Sequence, residues 1–271
     1  MKITLLDGPV GTELIARGHP CPPPAWSAAA IKSAPTAIAE IHTAYAHAGA
    51  KVHTTNTFRT RPEAVGAHWK DLAKQAVDLA KKSVPHHHKI AGAIAPLADC
   101  YRPDLSPKHP RSAHQALAQV LAEQQVDILL CETFPHVGEA LEATSAAIET
   151  GIETWVSFTA GPNGDLLTPE CVRSGAEQAV KLGATAILVN CIPASQTERF
   201  LLAISDLGVP FGAYANAGHP DEGLGWIPSL DGPKRYADQA ETWVELGATL
   251  LGSCCGTGPQ HIHALHQRFC K

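Results

Sequence analysis

The 271-residue chain has no apolar run approaching the roughly 18 residues that a membrane-spanning helix needs. Its opening stretch, Met1-Lys2-Ile3-Thr4-Leu5-Leu6-Asp7-Gly8, turns polar too early for a signal-peptide core. No Gly-x-Gly-x-x-Gly follows the first apolar segment, no Cys-x-x-Cys pair occurs, and no long linker divides the chain. Charge is scarce, at 17%, and its formal sum is −5, which excludes a basic nucleic-acid-binding face. Together these absences lead to the expectation of a soluble, cytoplasmic protein with neither membrane nor nucleic-acid partners.

What is present is a large apolar fraction, 45%, enough for a substantial core without covalent staples. The eight cysteines are far below the density of a disulfide scaffold, so they are expected to be reduced. Their role has to come from position. The 15 histidines are the other compositional oddity.

Short apolar runs alternate with helix-length amphipathic stretches. The spacing predicts strands at residues 2–7, 52–57, 90–95, 126–132, 154–159, 186–191, 210–215 and 250–254. Between and after them it predicts helices at 37–48, 62–83, 112–123, 137–149, 171–182, 195–207, 233–246 and 259–269. Glycines 49, 183 and 247 stand where helices should end, and Thr257 with Gln260 has capping-box spacing before the last helix. Eight strand–helix repeats are the number that closes a (β/α)8 barrel, and a single barrel domain over residues 1–271 uses the whole length. An open doubly wound sheet is the rival. The Pro-rich residues 21–24 and the segment 99–111 then read as long βα loops on the catalytic face.

In such a barrel the carboxyl ends of the strands surround the site of chemistry. Cys191 ends the sixth strand, and Cys254-Cys255 end the eighth, so three thiols converge on one rim across 63 residues of sequence. Three soft ligands with a fourth position open suit a reactive zinc site. Free cysteines are also ordinary core residues, and spacing alone leaves both readings open. His86-His87-His88 falls before the third strand, at the amino-terminal side of the barrel and away from this rim. On the last helix only His263 and His266 share a face.

The string Gly252-Ser253-Cys254-Cys255-Gly256-Thr257-Gly258-Pro259-Gln260-His261-Ile262 closely resembles the signature of the homocysteine S-methyltransferase family. Further matches run in order along nearly the whole chain: Asp7-Gly8-Pro9-Val10-Gly11-Thr12-Glu13-Leu14, Trp26-Ser27 and Thr55-Asn56-Thr57-Phe58. They continue through Cys131-Glu132-Thr133-Phe134, Ser157-Phe158-Thr159, Asn190-Cys191 and Asn216-Ala217-Gly218. The resemblance implies that Cys191, Cys254 and Cys255 hold one Zn2+ per chain and that the homocysteine thiol takes its open position. It further implies that Asp7 and Glu132 hold the substrate ammonium, while backbone amides around Gly8 to Gly11 receive its carboxylate. Trp26 would wall the pocket, and Asn56, Thr57 and Asn216 would line it. Without the resemblance, Asp7 equally fits a turn residue bonding its own backbone, and Glu132 a loop ion pair.

Four positions depart from the family pattern: Pro9, Val10, Ser253 and Ala215. Pro9 removes one backbone N–H from the carboxylate-binding turn. The expected reaction moves a methyl group from a small sulfonium donor to L-homocysteine, forming methionine. Because the chain ends soon after the last helix, with no room for folate, cobalamin or betaine-associated extensions, S-methylmethionine is the first expected donor and S-adenosylmethionine the second. The alternatives are a homocysteine-, selenohomocysteine- or metal-binding barrel without turnover, or a zinc hydrolase. Three thiolates suit the hydrolase poorly, because they weaken the Lewis acidity that water activation needs.

Overall fold

The computed structural model describes residues 2–227 and 229–270. Its elements in chain order are β1 (Thr4–Leu5), α1 (Val10–Ala16), α2 (Ala30–Ser33), α3 (Pro35–Ala48), β2 (Val52–Thr54), α4 (Pro62–Val65) and α5 (Trp69–Ser83). There follow β3 (Lys89–Ile94), α6 (Arg111–Glu123), β4 (Ile128–Phe134), α7 (Val137–Ile148), β5 (Glu153–Phe158) and α8 (Pro169–Leu182). The chain continues with β6 (Ala186–Pro193), α9 (Ala194–Ile204), β7 (Phe211–Asn216), α10 (Gly232–Glu245), β8 (Leu250–Ser253) and α11 (Pro259–Phe269). Among the described residues no helix is long and apolar enough to cross a membrane.

The strands pair in parallel in the order β1-β8-β7-β6-β5-β4-β3-β2. The two ends of that order also meet. Leu6 bridges Val52, the Asp7 amide donates to the Val52 carbonyl at 3.0 Å, and the Lys51 amide donates to the Leu5 carbonyl at 2.8 Å. The sheet is therefore a closed (β/α)8 barrel. Around it α3, α5, α6, α7, α8, α9, α10 and α11 each pack on the next, and α11 returns to α3.

Period-two alternation divides the core. In β4, Ile128 and Leu130 point into the barrel with Leu6, Val52, Trp155, Leu188 and Tyr214, while Leu129 and Cys131 face the helices. A strand buried on both faces must be apolar throughout, which is why these segments lack the polar alternation of a half-exposed sheet. Cys131 is thus outer core.

Several local expectations are corrected. The helix expected at 62–83 is broken: Gly66 takes φ +77°, which ends the single turn α4, and the helix restarts at Trp69. The short helices α1 and α2, on either side of the Pro-rich residues 21–24, are not among the expected helices. The first two strands are shorter than expected, although the Asp7 amide still bonds Val52 and the Thr55 amide still bonds the Ala91 carbonyl at 2.9 Å. Thr257 does not cap α11; its hydroxyl donates to the Cys254 carbonyl at 2.7 Å, and His261 Nδ1 accepts the Gly258 amide at 3.1 Å instead. Gly49 does end α3, at φ +114°.

Candidate active site and metal centre

Cys191 near the end of β6 and Cys254-Cys255 after β8 meet at the carboxyl rim, their sulfurs within 4.8 Å of one another. Cys255 Sγ lies 3.7 Å from Cys191 Sγ and 4.0 Å from Cys254 Sγ. Three sulfurs each about 2.3 Å from a tetrahedral zinc ion would stand about 3.8 Å apart, so both separations fit a shared metal. The third pair, Cys191 and Cys254, is joined as a disulfide across Cα atoms 5.6 Å apart. That corrects the expectation that all eight cysteines are reduced, since the fold brings these two thiols within bonding reach. Burial, reinforced by Glu132, pushes the Cys255 thiol up to about 11, so the cluster needs a soft dication to become a set of thiolates.

The carboxyls of Asp7 and Glu132 stand in the same mouth. Asp7 is 4% exposed and accepts the Thr54 amide at 2.9 Å; burial pushes its carboxyl up to about 8. Glu132, 8% exposed, accepts the Tyr214 hydroxyl at 3.1 Å and is pushed up by burial to about 7. Each feels the absence of a positive partner, and Glu132 also raises Asp7 electrostatically. A cation entering between them would relieve both.

Gly8 has no room for a side chain, because a Cβ there would come within 2.7 Å of Tyr45 and 2.8 Å of Ser253 Oγ. Pro9 immediately precedes α1, and its carbonyl accepts the Tyr45 hydroxyl at 3.1 Å. The lost N–H therefore falls just before the helix, and the amides of Val10 and Gly11 that open α1 have no intrahelical acceptor. Trp26, at φ +51°, lays its indole against Gly11. The remaining expected liners are tied into the scaffold. Asn56 bonds Ser27 through both ends of its amide, accepting Oγ–H at 2.5 Å and donating to the carbonyl at 2.9 Å. Thr57 donates to the Ala93 carbonyl at 2.8 Å. Asn216 donates to the Cys191 carbonyl at 3.0 Å and accepts the Gly218 amide at 2.8 Å, so it braces the turn that carries Cys191.

Sequence reasoning missed the residues that hold these groups in place. Tyr214 reaches Glu132 from inside the barrel, and its inward register on β7 was the available signal. Asn190 accepts the Thr133 amide at 3.1 Å and the Ser157 hydroxyl at 2.7 Å, and donates to the Thr133 hydroxyl at 2.7 Å. Tyr236 uses its hydroxyl to join the Ala215 amide to the Gly252 carbonyl, pinning β7 to β8 just before Cys254. The segment 99–111 is anchored by buried Glu139, which accepts the Leu97 amide and the Ser106 hydroxyl, each at 2.7 Å. It brings Cys100 and Tyr101 into electrostatic reach of Cys255.

The comparisons with known proteins agree with this geometry. Residues 4–269 match the family model described as homocysteine S-methyltransferase. A homocysteine S-methyltransferase of Escherichia coli K12 is 30% identical over 98% of this chain and 95% of its own length. A selenocysteine Se-methyltransferase of Brassica oleracea var. italica is 25% identical over 98% of this chain and 88% of its own. A mouse S-methylmethionine–homocysteine S-methyltransferase is 27% identical over 90% and 72% respectively. Among solved structures, the metallated form of the E. coli homocysteine methyltransferase MmuM superposes with a TM-score of 0.81 at 26% identity. Its oxidized form does so with 0.82 at 27%; both cover 99% of this chain and 96% of the other. With its signature cysteines gathered at the mouth of a closed barrel and the family model matched from end to end, the chain belongs to the homocysteine S-methyltransferase family.

Proposed function

We propose that this protein transfers a methyl group from a small sulfonium donor, S-methylmethionine first and S-adenosylmethionine second, to L-homocysteine, giving methionine. The observation that carries the reading is the triad of sulfurs within 4.8 Å at the rim that also presents Asp7 and Glu132. Cys191, Cys254 and Cys255 would hold one zinc ion. Zinc, when bound, favours the thiolate form of the acceptor sulfur, whose free thiol is mostly protonated at neutral pH, and three cysteinates leave that sulfur electron-rich.

The chain's own residues do the rest. Asp7 and Glu132 receive the substrate ammonium, which supplies the positive charge that burial denies them. The amides opening α1 receive its carboxylate, brought close by the bare backbone of Gly8. Trp26 covers the Gly11 side of that turn. In the transfer the acceptor sulfur's lone pair forms a new carbon–sulfur bond as the donor's carbon–sulfur bond breaks, and that bond's electron pair stays on the donor sulfur, so the donor departs as a neutral thioether. No side chain has to remove a proton at that moment, and rate comes from holding the two sulfurs in line.

The test is methionine formation by reduced, zinc-loaded enzyme with homocysteine and each sulfonium in turn. Turnover with S-methylmethionine exceeding that with S-adenosylmethionine supports the reading. Homocysteine binding with no turnover on either donor refutes it in favour of a binding protein.

A further inference from the structure

The methyl transfer makes no use of three buried histidines near Asp7. His42 on α3 and His53 on β2 are fully buried, and His88, before β3, is 7% exposed. The His86–His88 tract does precede β3, as the sequence suggests, and His88 within it is buried. Ligating atoms of Asp7, His42 and His53 lie within 4.8 Å of one another. Among the described residues, neither ring nitrogen of His42 nor Nδ1 of His53 has a hydrogen-bond partner. Buried polar atoms in that condition are costly, so the group calls for a shared ligand.

Proton bookkeeping says which ligand. Lys51 Nζ stands 3.2 Å from His88 Nε2, and an ammonium can only donate, so that nitrogen accepts. The proton of His88 is then on Nδ1, which donates to His53 Nε2 at 3.0 Å. Burial holds His53 neutral, so its single proton is on Nδ1, the atom left without a partner. The line Lys51 to His88 to His53 therefore ends in an Nδ1–H, on a ring that has a nitrogen within 4.8 Å of an Asp7 carboxylate oxygen. A metal ion would need a lone pair there. A water molecule fits: with hydrogen bonds about 2.8 Å long, one water links atoms as far apart as these, and a buried water asks for two to four polar partners.

We infer that His53, aimed by His88 and Lys51 and joined by His42, is a positioning residue that holds the Asp7 carboxylate through one bridging water, ionised and oriented for the homocysteine ammonium. The inference rests on the proposed role of Asp7. The Thr54 amide fixes one side of that carboxylate at 2.9 Å, and the relay supplies the donor that opposes the burial penalty from another. Glu132, by contrast, has the Tyr214 hydroxyl alone.

The experiment is steady-state kinetics of the reduced, zinc-loaded enzyme with homocysteine and with its des-amino analogue 4-sulfanylbutanoate as acceptors. His53→Leu raises KM for homocysteine about tenfold and leaves kcat, because ground-state and transition-state binding are lost alike. It leaves KM for the analogue unchanged, since the analogue has no ammonium. His53→Asn, whose amide N–H stands where Nδ1–H stands, keeps KM within about twofold of wild type. Lys51→Met, an exposed change that does not threaten the core, raises the homocysteine KM several-fold in the same selective way. Equal effects on the two acceptors, or no effect of His53→Leu and Lys51→Met while Asp7→Asn raises the homocysteine KM, overturn the relay and leave the ammonium reading intact. If Asp7→Asn also leaves KM unchanged, the ammonium reading itself falls. A second Co2+ equivalent bound by wild type and lost in His53→Leu overturns the relay in favour of a metal.

Discussion

Replacing Glu132 with Gln should make the substrate-free protein more stable and the enzyme worse. Burial lifts the Glu132 carboxyl from its ordinary 4.5 to about 7, with the Tyr214 hydroxyl as its single opposing hydrogen bond. In the unfolded chain the same group ionises near 4.5. Between those values the folded protein keeps a proton that the unfolded chain has lost, so stability falls as pH rises through this window and levels off above it. At about 1.4 kcal/mol per pH unit, the penalty is about 1 kcal/mol at pH 5 and about 3 kcal/mol at pH 7. Glu132→Gln abolishes the ionisation, and its amide oxygen can still accept the Tyr214 hydroxyl. A domain of this size melts about 2 °C higher per kcal/mol, so the variant should gain about 5 °C at pH 7 and about 2 °C at pH 5. Calorimetry of reduced protein, metal-free and zinc-loaded, measures both; a dication on the neighbouring cysteines favours the ionised carboxyl and shrinks the gain. Saturating homocysteine should reverse the order, because its ammonium stabilises wild type by mass action and finds a neutral amide in the variant. A variant that melts no higher than wild type at pH 7, or gains as much at pH 5, would refute the claim that Glu132 is an uncompensated buried acid.

Three further outcomes follow from the site. Cys254→Ala should drop zinc content from about one per chain to near zero after desalting, read by elemental analysis, and full retention would remove Cys254 from the ligand set. Asn216→Ala frees the Cys191 carbonyl and should weaken zinc binding about 10- to 100-fold in competition with a chromophoric chelator, while thiol titration still finds every cysteine. Gly8→Ala would drive a methyl group into Tyr45 and Ser253, costing about 1–3 kcal/mol in urea unfolding and raising the homocysteine KM as the turn shifts.

The barrel was legible because eight strands buried on both faces are apolar runs and eight covering helices are amphipathic, and the two patterns differ in period. The helix break at Gly66 was not, since a glycine within a helical pattern is often tolerated, and only its φ of +77° shows that the chain turns there. The capping role read for Thr257 failed through a competing acceptor, the Cys254 carbonyl, which exists only once β8 and α11 are assembled. Cys191, Cys254 and Cys255 do gather at the carboxyl rim as expected, whereas the Cys191–Cys254 disulfide depends on a distance between strands that one sequence does not carry. His88 stands before β3 as expected, but its contacts with Lys51 and His53 are pairings between neighbouring strands that one sequence does not carry.

What the sequence concealed most completely is how two strands are bent to aim their chemistry. β4 loses register with β5 between Cys131 and Phe134, and β6 loses register with β7 between Asn190 and Pro193. Within those breaks Thr133 and Cys191 take φ of +62° and +50°, a left-handed backbone that costs a residue with a side chain about 1–2 kcal/mol. Neither break changes the apolar character of the strand, so hydropathy cannot register it. Both costs are met locally. Asn190 grips Thr133 through its amide and its hydroxyl, and Asn216 takes the carbonyl of Cys191. Asn190 directly precedes Cys191, so one side chain couples the bend that presents Glu132 to the bend that presents Cys191. On the proposed function the strain lies at the two strand ends that would hold the ammonium and the acceptor sulfur at a fixed separation, which is where a stiff, over-determined backbone would serve an in-line transfer.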